Sequence, residues 1–182
     1  MTRSSTSRGA SPDILQTPAV NDQELRMSYR IARGEMGVLT FEPYKSFLLP
    51  HWRFRTPKIA EESSQTLWKR FVEYGEHGDF VGMDMARKFI QMGMTRAKRY
   101  ANHKGGRKYE KTIKQEDGET DGKRKELPKS TGHADKEEKE EASAIFKEVW
   151  QRCKEYDVYL QLKEEFQSEQ KKWDKEHKIK SE

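Results

Sequence analysis

The 182-residue sequence predicts a mainly α-helical fold with a small N-terminal β element, built as a single compact helical domain with a disordered tail and a charged linker. Three observations predict it. Only 32% of the residues are hydrophobic and 37% are charged, yet the large apolar side chains concentrate in two blocks, Tyr29 to Tyr109 and Ala142 to Trp173. Within these blocks apolar residues recur every three or four positions, the period of a helix face packed on a core. Outside them the chain offers Ser, Thr, Pro, Gly and charge, which cannot bury enough apolar area to offset the entropy of ordering.

The elements follow in order. Residues 1–25 read as the disordered tail, and residues 26–178 as the domain, a size ordinary for one core. Tyr29 and Ile31, then Val38, Leu39 and Phe41, flank Gly34-Glu35-Met36-Gly37, whose glycines suit the turn of a short hairpin. Pro43, Pro50 and Pro57 punctuate the next stretch and favour irregular chain wrapping the domain. Thr56-Pro57 is a helix start, because Thr can cap free N–H groups and Pro at the first position has none to satisfy. This helix is expected to run to about Tyr74, with Ile59, Ser63, Leu67 and Phe71 on its packing face and Gly75 and Gly78 ending it.

A second helix is predicted from the unbroken series Ala86, Phe89, Ile90, Gly93, Met94, Ala97, Tyr100 and Ala101. Gly93 on that apolar face lowers helix propensity and so predicts close approach of another backbone. Arg87, Gln91, Thr95, Lys98 and Arg99 fall off the stripe and are expected to face solvent or a ligand. Residues 110–141 carry eight Lys or Arg, eleven Asp or Glu and four helix-breaking residues, and read as a mobile linker or insertion. Ile145, Val149, Trp150, Cys153, Tyr156, Leu160, Phe166 and Trp173 then predict one helix from about Lys136, or two broken near Asp157.

Two stretches resemble a known family. One runs from Arg33-Gly34-Glu35-Met36-Gly37 through Glu42-Pro43-Tyr44-Lys45-Ser46 to His51-Trp52-Arg53-Phe54-Arg55-Thr56-Pro57. The other runs from Gly78-Asp79-Phe80-Val81-Gly82-Met83-Asp84 to Asn102-His103-Lys104-Gly105-Gly106-Arg107-Lys108-Tyr109. They are similar to the uncharacterised domain of unknown function 4385 family over about residues 27–109, and more weakly over about 144–166. The resemblance implies a genuine domain of intracellular placement. It implies no activity and no catalytic residue.

The function expected from the residues themselves is polyanion binding, most of all nucleic acid, with RNA slightly favoured over DNA. Between Met85 and Tyr109 lie Arg87, Lys88, Arg96, Lys98, Arg99, Lys104, Arg107 and Lys108, with no acidic residue among them. The whole chain carries +5, so this segment at +8 leaves a net −3 elsewhere, an asymmetry that marks a footprint for a polyanion. Asn102, Gly105 and Gly106 offer backbone that can approach phosphates, and Tyr100, His103 and Tyr109 offer rings that can stack on bases. The binding residues expected are therefore Arg87, Arg96, Lys98, Arg99, Asn102, His103, Lys104, Gly105, Gly106, Arg107, Lys108 and Tyr109. A plain solvated helix face followed by a basic loop is the competing account.

Two further readings compete. A non-catalytic protein adaptor would present Trp150, Tyr159 or Trp173 from the C-terminal helical block to a partner. A metal-dependent phosphodiesterase would need Asp79, Asp84 and either His51 or His103 to converge beside the basic loop, although helix capping is the simpler role for both carboxylates. The glycine loop Gly105-Gly106-Arg107-Lys108 lacks the spacing of a nucleotide-binding loop, and the five histidines lack helical metal-site pairing, so no cofactor or metal is expected. Trp52, Phe54, Trp68 and Phe71 read as core. A single cysteine, Cys153, and the absence of any long apolar run place the chain away from membranes in a reducing compartment, the cytoplasm, with the nucleus as the alternative suggested by Lys123-Arg124-Lys125.

Overall fold

A computed structural model describes residues 14–110 and 125–178. The disorder and mobility predicted for residues 1–13 and 111–124 lie outside the described residues. Seven α-helices order the remainder: α1 (Pro18–Asn21), α2 (Gln23–Ser28), α3 (Tyr44–Leu48), α4 (Pro57–Glu76), α5 (Phe80–Asn102), α6 (Lys136–Glu155) and α7 (Asp157–Lys178). Short 3₁₀ turns follow α3 at Leu49–His51 and α5 at Lys104–Gly106. Among the described residues no helix is long and apolar enough to cross a membrane.

The α4 start is the one the sequence predicts. The Thr56 side chain accepts from the Ile59 N–H at 3.3 Å with Pro57 in the first turn, a cap that contributes about 1 kcal/mol. The chain then turns at Gly78, and Asp79 caps α5 by accepting from the Gly82 N–H at 2.9 Å. Helix α5 is the axis of the fold, packed against α4 and α6, which also pack on each other, and crossed by α7. Every residue from Phe80 to Ile90 is buried. At Gly93 the structure supplies the close approach expected, but by a ring rather than a backbone: a Cβ there would lie 2.5 Å from the Phe146 ring of α6. The C-terminal block is two helices, separated at Tyr156, whose backbone is extended.

The predicted N-terminal β element is absent. Among the described residues the sole β pairing is an isolated antiparallel bridge, Tyr109 with Glu126. Residues 33–40 instead form consecutive turns closed by local bonds, Met36 N–H to Arg33 O, Val38 N–H to Glu35 O and Thr40 N–H to Gly37 O, all 3.1 to 3.3 Å. Tyr29 and Phe41 do come together, as an edge-to-face pair with centroids 4.9 Å apart. The hairpin pattern thus reported a side-chain contact, while the backbone donors found nearer acceptors.

The tail boundary also moves. Residues 18–25 form α1 and part of α2, with Ala19 fully buried and its N–H donating to the Tyr44 hydroxyl at 3.0 Å. Arg26 holds Glu169 of α7 with one guanidinium edge, Nη2 at 2.7 Å and Nε at 3.1 Å, and Arg30 holds Asp174 at 2.8 Å twice. This clasp orders a segment too poor in apolar residues to order itself, because bidentate guanidinium pairs fix geometry as well as charge. At the far end of the predicted linker, residues 136–141 are the first turns of α6.

Candidate anion and nucleic-acid interface

The last turns of α5 and the first turns of α6 diverge to leave a cleft of about 750 Å³. From α5 it is lined by Met94, Thr95, Lys98, Arg99 and Asn102, and from α6 by Glu140, Ser143, Ala144 and Lys147. The Ser143 hydroxyl donates to the Met94 carbonyl at 2.9 Å and stitches the helices together at the cleft's inner end. His103, Lys108, Glu126 and Lys129 complete the wall.

That wall is held by bonds between residues 102–110 and 125–130. Leu127 N–H donates to Lys108 O at 2.8 Å and Glu110 N–H to Lys125 O at 3.1 Å, on either side of the isolated bridge. Ser130 reinforces it, with its N–H on Asn102 O at 2.7 Å and its hydroxyl accepting from Lys104 N–H at 3.0 Å. Arg99 donates to Gly106 O at 2.6 Å and Arg107 to Glu110 O at 2.7 Å, so both guanidinium groups also shape the loop. Gly106 has φ +70° and lies under the Tyr100 ring, which a Cβ would meet at 2.6 Å. Only glycine satisfies both conditions at once.

Five cations face two carboxylates in this cleft. Lys98, Lys129 and Lys147 have no ion pair or hydrogen bond among the described residues, whereas Lys108 lies 3.6 Å from Glu126. The His103 ring is 4% exposed. Its Nε2 is 3.9 Å from Glu126, and its buried Nδ1 has no partner among the described residues. A buried polar atom left without a partner usually marks water, an ion or a binding role.

Of the twelve expected binding residues, Lys98, Arg99, Asn102, His103 and Lys108 converge on the cleft. Lys104, Gly105, Gly106, Arg107 and Tyr109 lie in the loop that follows, and half-buried Arg96 does not line the cleft. Arg87 must be corrected. It is 8% exposed, and with Lys88, 1% exposed, it serves a buried charge network. Asp84, fully buried, accepts from Arg87 Nε at 2.7 Å, Tyr159 hydroxyl at 2.8 Å and Tyr29 hydroxyl at 2.5 Å, with Lys88 Nζ 3.9 Å away. Burial alone would raise the Asp84 carboxyl, but Arg87, Tyr29 and Lys88 together outweigh it and hold it below its ordinary value. Burial lowers Lys88 and would lower Arg87, whose guanidinium is instead raised by the adjacent Asp84.

The geometry demanded of a phosphodiesterase is not met. Asp79 caps α5 and accepts from the Tyr44 hydroxyl at 2.5 Å, and burial raises its carboxyl above the ordinary value. Asp84 is enclosed as described, and His103 sits at the opposite end of α5, about 28 Å along the axis from Asp84 at 1.5 Å per residue. His51 lines a separate cavity with Phe47, Leu48 and Tyr74. Among the described residues no group of three His, Cys, Asp or Glu side chains is placed to share a metal ion. Nor does the C-terminal block present its three rings together. Tyr159 is buried on Asp84, Trp150 is half-buried beneath Lys154, and Trp173 stacks on His177.

Lys129 and Lys147 are the cations that sequence reading missed. Lys147 shares the helical series Glu140, Ser143, Ala144, Lys147, a visible signal whose destination depends on how α6 packs. Lys129 lies in the predicted linker and carried no signal. No curated protein and no solved structure matches the chain. A family model described as "Domain of unknown function (DUF4385)" matches residues 13–169, from before α1 into α7, and the chain belongs to that family.

Proposed function

We propose that this protein binds a polyanion, nucleic acid first and RNA ahead of DNA, in the cleft between α5 and α6. The observation that carries this reading is the set of lysines without a partner among the described residues, Lys98, Lys129 and Lys147, held with Arg99 and Lys108 around one concavity. Concave walls of one sign focus the field, and each phosphate that meets a lysine releases a condensed counterion. His103 lines the same cavity, and an imidazole N–H can donate to a phosphate oxygen. RNA is placed ahead because Tyr100 and Tyr109 border the basic loop, and rings beside phosphate contacts favour unpaired bases. Cytoplasmic placement goes with it, in keeping with a single cysteine in the chain.

Retention on immobilised single-stranded RNA and DNA tests the reading. Lys98 and Lys147 are exposed, so Lys98→Glu/Lys147→Glu leaves stability within about 0.5 kcal/mol while abolishing retention at moderate salt. Arg99 and Arg107 are poorer targets, because their loss also loosens the loop. Retention of the double variant equal to that of the unaltered protein would exclude the cleft.

A further inference from the structure

Beside the basic cleft lies a second concavity, about 420 Å³, with a different lining. Trp52, Phe54 and Tyr100 supply three rings, Leu49 an aliphatic edge, and Arg53, Arg55 and Lys139 three cations. Among the described residues no carboxylate lines it. The rings meet at steep angles, Trp52 to Phe54 at 5.1 Å and 52°, Phe54 to Tyr100 at 5.6 Å and 63°. Such angled pairs leave ring surface outside the pair, unlike a closed stack.

Trp68 and Phe71, the other rings read as core, behave differently. Phe71 is fully buried and stacks on Trp68 at 5.4 Å, while Arg152 covers the Trp68 ring at 4.2 Å. Trp52 and Phe54 are half-buried and packed against the core like Trp68, but they also line the groove, where Lys139 stands over the Phe54 ring. The expectation that all four rings are core holds, with Trp52 and Phe54 at the edge where the core meets the groove.

Lys139 adds the decisive feature. It is 6% exposed, its ammonium donates to the Arg55 carbonyl and lies 5.9 Å from the Phe54 ring centre, and it has no carboxylate partner among the described residues. Lysines are seldom buried unless paired, so an uncompensated ammonium at the edge of an aromatic groove calls for an anion. Arg55, exposed, has no partner for its guanidinium among the described residues either. The two concavities are lined by consecutive residues, Arg99 and Lys139 being followed or preceded by their neighbours Tyr100 and Glu140 across the two linings. They border the same turns of α5 and α6.

Building on the proposed polyanion reading, we infer that this groove is a stacking subsite for an unpaired nucleobase of the strand whose phosphates occupy the neighbouring cleft. A base is flat and polarisable and matches the ring surfaces, and the phosphate attached to it supplies the charge that Lys139, Arg53 and Arg55 lack. An aromatic groove can also take a proline-rich segment, but such a segment brings no anion for three cations.

The test uses the full chain and two labelled single-stranded probes of equal length, an oligoribonucleotide and its abasic counterpart, which carry the same phosphates. The base-bearing probe is expected to bind about tenfold more tightly, the scale of one stacked base. Phe54→Leu should erase that difference while leaving affinity for the abasic probe unchanged, and Lys98→Glu should weaken both probes alike. Because Phe54→Leu can disturb folding, photocrosslinking of unaltered protein with a 4-thiouridine probe gives an independent readout, with adducts expected on Trp52, Phe54 or Tyr100. Equal affinity of the unaltered protein for both probes, or adducts confined to other residues, would overturn the subsite and leave the polyanion reading standing. Binding of neither probe would overturn both. A proline-rich peptide bound by the unaltered protein and lost in Phe54→Leu, without response to the oligoribonucleotide, would assign the groove to a protein partner instead.

Discussion

The two ends of α5 carry the same kinds of residue to opposite ends. In its first half Arg87 and Lys88 are buried against Asp84, Tyr29 and Tyr159, and every charge has a partner inside the domain. In its last turns Lys98 and Arg99 open onto a cleft where, among the described residues, lysines outnumber carboxylates and Lys98 meets no partner. One end uses charge to fix how the N-terminal segment and α7 meet on the core. The other leaves charge for something outside the chain. Counting basic residues cannot separate these uses. The presence of a carboxylate one helical turn away can, since Asp84 stands three and four residues before Arg87 and Lys88, whereas no acidic residue follows until the loop has ended.

The comparison is most easily broken at the buried end. Asp84→Ala strands Arg87 and Lys88 without a counter-charge and should cost about 3 to 5 kcal/mol, read as a fall in urea midpoint. A loss under 1 kcal/mol would mean that the network holds little together. The milder Asp84→Asn gives the pH test. Asp84 is held below its ordinary 3.8 in the folded chain, so its stabilisation is present above that value and lost as pH falls through the folded value. The stability gap between the unaltered protein and Asp84→Asn should therefore be full at neutral pH and close in strong acid.

Asp79 has the opposite sign. Burial raises its carboxyl above 3.8, so its ionised form weighs against folding at neutral pH, and the folded state gains as pH falls through the raised value. Asn at this position keeps one oxygen for the Gly82 N–H, and its amide nitrogen can donate to the Tyr44 oxygen in place of accepting from it. Asp79→Asn should leave stability within about 1 kcal/mol at neutral pH, and equilibrium unfolding across the acid range checks both variants together. A large loss for Asp79→Asn would show that the carboxylate's charge or its second oxygen, beyond the bond to Gly82 N–H, holds the helix start.

At the open end the expected effects are smaller and fall on binding. Glu126 lies against Lys108 and near His103, the nearest thing to an internal competitor for an incoming phosphate. Glu126→Gln should tighten nucleic-acid binding about threefold at low salt, with the gain fading as salt rises, as expected for one partly exposed charge. Weaker binding by Glu126→Gln, measured by fluorescence anisotropy, would make Glu126 part of the contact surface rather than a brake on it.

Much of this was legible in the sequence, and what was not has identifiable causes. Thr56-Pro57, the α5 stripe and the break at Asp157 rest on local rules that act within a few residues, and each reappears in the structure. The N-terminal hairpin failed because Tyr29 and Phe41 satisfy the same pattern as a ring pair held by the core. Residues 18–25 looked unable to fold because the partners that order them, Tyr44 and Glu169, are far away in sequence. The same holds at the site. Lys98, Arg99, Asn102, His103 and Lys108 were visible as one basic run, but Lys147 and Lys139 reach their cavities only through the packing of α6, and Lys129 through the bonds of Leu127 and Ser130 to Lys108 and Asn102.

Two lysines of α5 test the central claim most directly. Lys88→Met and Lys98→Met each remove one positive charge from the same helix, and the slope of log affinity against log salt counts the phosphate contacts a protein makes. With a labelled single-stranded RNA, Lys98→Met should reduce that slope by about one while Lys88→Met leaves it unchanged, since Lys88 is 1% exposed and committed to Met36 O and Asp84. Equal reductions in the two variants, or a slope unmoved by Lys98→Met, would contradict the division of α5 into a structural end and a binding end.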